Sequence, residues 1–280
     1  MGTYAVTGRA SGMGRAVADQ LRAAGHTVIG VDLDDADVQA DLSVPRARRE
    51  AAAAVLSAAG ERLDGAVLAA GLGPVRGRER AIAQVNYFGV VDLLREWRPA
   101  LAAAGNAKVV VFSSNSTTTT PGVPRRFVRA LLAEDADRAL RGVRLFGKAA
   151  APIVYGGSKL ALSRWVRRNA VLPEWSGAGI RLNALAPGAV LTPLLEDQLA
   201  SPAAKAVASF PVPIGGYGDP SRLADWAVFM LSDAADFLCG SVIFVDGGSD
   251  AYFRADAWPQ SVPLRALLRY LRRMRSFARR

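Results

Sequence analysis

Seven short runs of β-branched and apolar residues recur along the chain, separated by longer Ala-, Leu- and Arg-rich stretches of helical period. This alternation constrains the fold more than any other feature. Parallel strands buried on both faces read as unbroken apolar runs, and each needs a crossover, usually a helix, to reach its neighbour. The pattern predicts an α/β protein built on a doubly wound, seven-stranded parallel sheet with helices on both faces. The predicted strands are Tyr4 to Thr7, Thr27 to Val31, a short one near Val38, Gly65 to Ala69, Lys108 to Phe112, Ile180 to Ala184 and Ser241 to Val245. Residues 117 to about 152 open with four threonines and a Pro-Gly turn, then become charged and helical around Phe127 to Leu140, and read as a helical insertion. One domain, 1–253, is expected, followed by a basic amphipathic extension, 254–280.

The 280 residues, half of them hydrophobic, suffice for one large core and not for two ordinary domains. A single cysteine, Cys239, excludes an intrachain disulfide and a cysteine-based zinc site, and a reducing, cytoplasmic location is expected. No charged leader precedes Tyr4, and no window approaches the roughly 18 uninterrupted apolar residues of a spanning helix. The net charge of +10 suggests nucleic acid until it is located: from Arg254 onward eight Arg stand against Asp256, so +7 of it lies in the extension. The nearly neutral body argues against a built-in basic face, and no nucleic-acid partner is expected.

The first strand runs into Thr7-Gly8-Arg9-Ala10-Ser11-Gly12-Met13-Gly14, and Ala16, Val17 and Leu21 then open a helix. Glycines here let the backbone turn tightly and approach a pyrophosphate, whose charge sits on the free N–H groups of the helix N-terminus. As an ordinary turn such a loop would mean little, but its place in the first βαβ unit points to a Rossmann-type dinucleotide site. Asp32, followed by Leu33, ends the second strand, where a carboxylate accepts hydrogen bonds from ribose hydroxyls and repels a 2′-phosphate. NAD(H) is therefore the expected cofactor. Arg9 is read as an ordinary surface arginine rather than a phosphate ligand.

Tyr155 and Lys159 stand four apart at the head of a helical pattern and so share one helix face. The chain uses 31 Arg and only four Lys, so a lysine at this position suggests a need for a compact ammonium. A phenol is a poor base at neutral pH, and a nearby cation is expected to lower its pKa. Tyr155 could then accept a proton from an alcohol or donate one to a ketone. Ser113-Ser114 ends the Val109 to Phe112 strand at the carboxyl edge of the sheet, where a hydroxyl could hold the substrate oxygen; the bland alternative is a cap for the next segment.

Thr7-Gly-x-x-x-Gly-x-Gly14, Ala70-Gly71, Asn86, Ser114, Tyr155-x-x-x-Lys159, Pro187-Gly188 with Thr192, and Asp246-Gly-Gly248 occur in this order over residues 1 to about 253. The set resembles the short-chain dehydrogenases/reductases, and the Asp64 to Pro74 and Val85 to Gly89 stretches are most similar to the bacterial 3α-hydroxysteroid dehydrogenase/carbonyl reductase branch. The resemblance implies Ser114 as substrate-oxygen donor, Tyr155 as acid/base and Lys159 as ribose ligand, with Asn86 holding a water that links Lys159 to solvent. It implies cofactor contacts at Gly8, Ser11, Gly12, Met13, Gly14, Asp32, Leu33, Ala70 and Gly71, with Asp41 and Leu42 flanking adenine. Pro187, Gly188, Val190 and Thr192 would hold the nicotinamide end. Two departures stand out. Leu68-Ala69-Ala70-Gly71 lacks the side-chain support many members carry in the central strand, and Ser114 and Tyr155 lie 41 positions apart instead of about a dozen.

The expected activity is interconversion of a lipophilic secondary alcohol and ketone, with Leu194, Leu195, Phe210, Val212 and Ile214 as an apolar cover. An inactive binding or scaffold protein is the alternative, and the intact Ser114, Asn86, Tyr155 and Lys159 speak against it. His26, the only histidine, is set aside, and no metal site is proposed. A homodimer or homotetramer is expected, paired near Ser221 to Leu231 and the last strand because the insertion should cover the surface of the Tyr155 helix. In the extension Leu264, Leu267, Leu268, Leu271, Met274 and Phe277 recur at helical spacing among arginines, suiting either docking onto this or a partner subunit or peripheral contact with an anionic membrane.

Overall fold

The computed structural model describes residues 1–201, 204–258 and 261–277. Arg279 and Arg280, counted in the basic extension, lie outside the described residues. The strands are β1 Thr3–Thr7, β2 Thr27–Asp32, β3 Val38–Gln39, β4 Gly65–Leu68, β5 Lys108–Phe112, β6 Arg181–Pro187 and β7 Val242–Val245. They form one sheet in the order β3-β2-β1-β4-β5-β6-β7, every pair parallel. The chain starts in the middle, winds to the edge at β3, then crosses back to β4 on the other side of β1, and that reversal opens a crevice at the carboxyl ends of β1 and β4.

β6 runs three residues past the predicted end. Arg181 to Leu185 pair with β5, while Ala184 to Pro187 pair with β7, so the strand must be long enough to serve two staggered neighbours. Pro187 occupies the last position, where its carbonyl accepts from the Asn115 N–H at 2.8 Å.

Alternating side chains supply two cores. Ala5, Ala66, Val109 and Val111 face the helices Pro45–Ala58, Gly89–Ala104 and Ala150–Asn169, together with the fully buried Trp97 and Leu101. Val6, Val67, Val110 and Phe112 face the helices Gly12–Ala23 and Pro220–Leu231 through Val17, Leu21, Leu223 and Met230.

The insertion is helical, as predicted, through Arg125–Leu132 and Ala136–Leu140, but the helix bearing Tyr155 already begins at Ala150. Phe127, Val128, Ala130 and Leu131 point inward while Arg125, Arg126 and Arg129 stay in water. Burying side chains such as Phe127 and Leu131 contributes about 1.5–3 kcal/mol each, enough to hold a short amphipathic helix in place. The seat is built by absence. A Cβ at Gly157 would lie 2.6 Å from the Phe127 ring, and one at Gly156 would lie 2.6 Å from Thr120 Oγ1.

Past β7, the helix Ser249–Arg254 still belongs to the body, through the Ser249 hydroxyl on the Pro211 carbonyl at 2.7 Å. The helix Leu267–Phe277 leaves its apolar stripe exposed among the described residues: Leu268 is 80% exposed, Leu264 just before it 84%, and Leu267, Leu271, Met274 and Phe277 are exposed too. Among the described residues the stripe makes no cover on its own subunit, and the partner-subunit and membrane alternatives remain for the extension. The interleaved arginines leave no flank that could be covered without desolvating charge.

Candidate active site

The glycine-rich loop follows β1 because only glycine fits its turns. Gly8 has φ +74°, and a Cβ there would fall 2.7 Å from the Ala70 nitrogen; at Gly14 it would fall 2.1 Å from the Gly8 carbonyl oxygen. Ser11 precedes the helix without capping it, so the first-turn N–H groups have no side-chain acceptor and suit an anionic group. Residues present here fit a dinucleotide. The support missing from Leu68-Ala69-Ala70 is supplied by Thr7, whose Oγ1 accepts from the Ala70 N–H at 3.1 Å.

Asp32 binds the loop to the end of β2: its Oδ2 accepts from the Ala10 N–H at 2.9 Å and its Oδ1 from the Leu33 N–H at 2.7 Å. Arg9 turns the other way. Its stem covers Gly30, where a Cβ would lie 2.6 Å from Arg9 Cγ, and its Nη1 pairs with Asp35 at 3.2 Å, off the wall of the cleft. His26 is remote as well, its Nδ1 accepting from the Gly2 N–H at 3.1 Å with its ring against Tyr4.

At the end of β5 the two serines diverge. Ser113, which also lines the cleft, is held by the Ser163 hydroxyl at 2.7 Å, whereas Ser114 accepts from the Ser116 N–H at 3.1 Å and stands close enough to the Tyr155 hydroxyl to bear on its pKa. One turn along the same helix, Lys159 Nζ donates to the Phe112 carbonyl at 2.7 Å. Burial pulls the Lys159 ammonium down to about 8. Burial also pushes the Tyr155 phenol up, and the Ser114 hydrogen bond opposes this only in part. The expected lowering of Tyr155 by Lys159 is corrected for this structure, in which the ammonium is directed to the Phe112 carbonyl.

Asn86 sits in a π-helical turn, Gln84–Phe88, a distortion often found at functional sites. Its Oδ1 accepts from the Leu72 N–H at 2.8 Å and its Nδ2 donates to the Leu72 carbonyl at 2.9 Å. It is fully buried and does not line the cleft, unlike the other predicted site residues. Gly71 separates it from Lys159: a Cβ there would lie 3.3 Å from Asn86 Oδ1 and 3.6 Å from Lys159 Nζ.

One cleft of about 850 Å³ joins the rest. Gly8, Ser11, Gly12, Met13, Gly14, Asp32, Leu33, Asp41 and Leu42 line it, as do Ala70, Gly71, Ser114, Tyr155 and Lys159, and Pro187, Gly188, Val190 and Thr192. Thr192 lies against Gly12, and its Oγ1 donates to the Val190 carbonyl at 3.3 Å. Of the predicted cover, Leu194, Leu195 and Phe210 line the cleft; Val212 and Ile214 do not, and lie beside Gly247 instead, with Ile214 exposed. Sequence reasoning missed Thr119, Thr120, Pro121 and Pro152 from the insertion, and Gln198, whose amide rests 3.1 Å from where a Gly73 Cβ would stand. It also missed the clasp behind Ser114, where Asn115 Nδ2 meets Asp246 Oδ2 at 3.5 Å while Asp246 accepts from the N–H groups of Gly248 and Asp250. The Asp246-Gly-Gly248 motif was the only signal for it.

Residues 140–250 match a family model described as enoyl-(acyl carrier protein) reductase. The chain is 38% identical over 255 residues to the 3-alpha-hydroxysteroid dehydrogenase/carbonyl reductase of Comamonas testosteroni, covering 91% of this chain and 98% of that protein. Among solved structures it is similar to the 3-alpha-hydroxysteroid dehydrogenase from Pseudomonas sp. B-0831 complexed with NADH, with TM-score 0.86 and 42% identity over 91% of this chain and 99% of that one. Levodione reductase is similar at TM-score 0.71 and 25% identity, covering 89% and 97% of the two chains.

Proposed function

The chain belongs to the short-chain dehydrogenase/reductase family, and we propose that it is an NAD(H)-dependent oxidoreductase interconverting a lipophilic secondary alcohol, such as a hydroxysteroid, and its ketone. The observation that carries this reading is the single cleft that gathers Ser114, Tyr155 and Lys159, with Ser114 and Tyr155 brought together across 41 positions and Lys159 one helical turn from Tyr155. NAD(H) supplies or accepts the hydride. Ser114 holds the substrate oxygen, and Tyr155 takes the hydroxyl proton in oxidation or returns it in reduction. Lys159 holds the nicotinamide ribose. Because the Asn86 side chain is committed to Leu72, only its backbone is left to hold the relay water.

Gly8, Ser11, Gly12, Met13 and Gly14 would cradle the pyrophosphate, with Asp32 and Leu33 at the adenosine ribose, Asp41 and Leu42 at adenine, and Ala70 and Gly71 along the cofactor. Pro187, Gly188, Val190 and Thr192 would fix the nicotinamide face. The retracted Arg9 and the Asp32 carboxylate favour NAD over NADP. Leu194, Leu195, Phe210, Pro121 and Pro152 make the substrate end apolar, and the two relatives named for 3-alpha-hydroxysteroids accord with a fused-ring ketone. Absorbance at the reduced nicotinamide band, with ketones and secondary alcohols against NAD(H) and NADP(H), tests the reading. No turnover of any lipophilic ketone, or kcat/KM favouring NADPH, overturns it.

A homodimer or homotetramer paired at β7 and the Pro220–Leu231 helix accords with the exposed Trp226, Phe229 and Phe237 there, and with the insertion covering the Tyr155 helix. Crosslinking through the Tyr155 helices would contradict it. For the extension, the unpacked apolar stripe flanked by arginines favours a cytoplasmic enzyme bound peripherally to anionic lipid. Truncation after Arg254 should abolish salt-sensitive binding to phosphatidylserine vesicles. A loss of oligomer size instead would mean that the stripe docks on a second copy.

A further inference from the structure

Arg48 is only 4% exposed, and a buried guanidinium needs a full set of acceptors. It lies on the Pro45–Ala58 helix and donates through Nε to Asp92 Oδ2 at 2.8 Å, on the Gly89–Ala104 helix. That pair alone would be an ordinary staple between helices. Its Nη1, however, donates twice more, to the Leu42 carbonyl at 2.9 Å and to Gln84 Oε1 at 3.0 Å. The guanidinium carbon also stands 6.0 Å from the Phe88 ring centroid.

These extra partners tie Arg48 to the edge of the cleft. Leu42 is part of its wall, and Gln84 precedes Val85, which lines it too. Gln84 also opens the π-helical turn that contains Asn86. The Gly89–Ala104 helix comes close at the same place: a Cβ at Gly89 would lie 3.4 Å from Leu42 Cβ. A rigid planar fork thus fixes the spacing between two walls that sequence places far apart, which a flexible ammonium does less well.

We infer that Arg48 is a positioning residue for the adenine end of the cofactor cleft, acting through Leu42 and Val85 without lining the cleft itself. The inference rests on the assignment of Asp41 and Leu42 to adenine made above. It predicts a split: cofactor affinity through the adenine half depends on Arg48, while the proton chemistry at Tyr155 does not.

Calorimetric titration with ADP-ribose and with reduced nicotinamide mononucleotide tests it. Arg48→Lys, which keeps the charge and loses the fork, should weaken ADP-ribose and raise KM for NADH by about tenfold. Nicotinamide mononucleotide affinity, kcat at saturating NADH and its pH profile should stay within about twofold. Should Arg48→Lys fail to fold, Gln84→Leu removes one arm, keeps the Asp92 pair and should show the same split at about threefold. Leu42→Asp checks the adenine assignment independently by weakening ADP-ribose. If it does not, that assignment falls and this inference with it. If Leu42→Asp weakens ADP-ribose while Arg48→Lys and Gln84→Leu bind it within about twofold of wild type, Arg48 is only a staple and the inference is overturned. Equal loss of both half-ligands, or a fall in kcat, overturns it as well.

Discussion

Replacing Lys159 by methionine should abolish turnover and stabilise the protein. The side chain is almost fully buried, and burial takes its pKa from the ordinary 10.5 to about 8. At about 1.4 kcal/mol for each tenfold change in proton affinity, the folded state gives up about 3 kcal/mol at neutral pH to keep this ammonium. Methionine is close in length and removes that penalty. It also removes the donor to the Phe112 carbonyl, a loss of about 1–2 kcal/mol. The net gain is about 1–2 kcal/mol at pH 7, or a Tm higher by about 2–8 °C for a chain of this size. The sign depends on pH. With the folded pKa below the unfolded one, wild type loses stability as pH falls from 10.5 to about 8 and loses no more below that. The advantage of Lys159→Met should therefore be full at pH 7, shrink as pH rises, and give way toward pH 10.5 to a deficit of about 1–2 kcal/mol from the lost hydrogen bond. Urea denaturation of both proteins at several pH values measures it, with NADH consumption as the activity readout. A variant less stable than wild type at pH 7, or a difference that does not shrink with pH, would refute the reasoning.

Tyr155→Phe should lower kcat by about 10²–10⁴ and leave the Kd for NADH within about threefold by fluorescence titration; residual activity within about tenfold of wild type would remove Tyr155 from the chemistry. Because burial raises the phenol, alcohol oxidation should accelerate with rising pH as phenolate forms and ketone reduction should slow, which stopped-flow pH profiles in both directions check. Asp32→Ala should narrow the preference for NAD over NADP and cost about 1 kcal/mol, since the Ala10 N–H loses its acceptor; an unchanged kcat/KM ratio would place cofactor choice elsewhere. Gly157→Ala drives a methyl to within 2.6 Å of Phe127 and should cost about 1–3 kcal/mol in thermal unfolding, and an unchanged Tm would mean that the insertion is not seated there.

The strand alternation, the glycine-rich turn and the Tyr155-Lys159 spacing were legible because each is local. Periodicity assigns a face, and a turn with positive φ selects glycine whatever lies elsewhere in the chain. Even the long insertion announced itself as helical. Where it lands was not legible: its place depends on two missing side chains at Gly156 and Gly157, and a glycine in a sequence does not say what approaches it.

From its residues alone, then, this chain determined a parallel α/β sheet and the end of it suited to a nucleotide, and it marked Ser114, Tyr155 and Lys159 as the side chains proposed for proton transfer. The folded structure decided what depends on contacts between distant segments. It set Ser114 rather than Ser113 toward Tyr155, turned the Asn86 side chain to Leu72, directed Lys159 to the Phe112 carbonyl and withdrew Arg9 to Asp35. It also brought Leu42 and Gln84 onto one buried guanidinium. Spacing along a helix or strand fixes direction relative to that element only. Which acceptor a buried donor meets follows from how two elements pack, and that is settled by the shape and volume of side chains far apart in sequence.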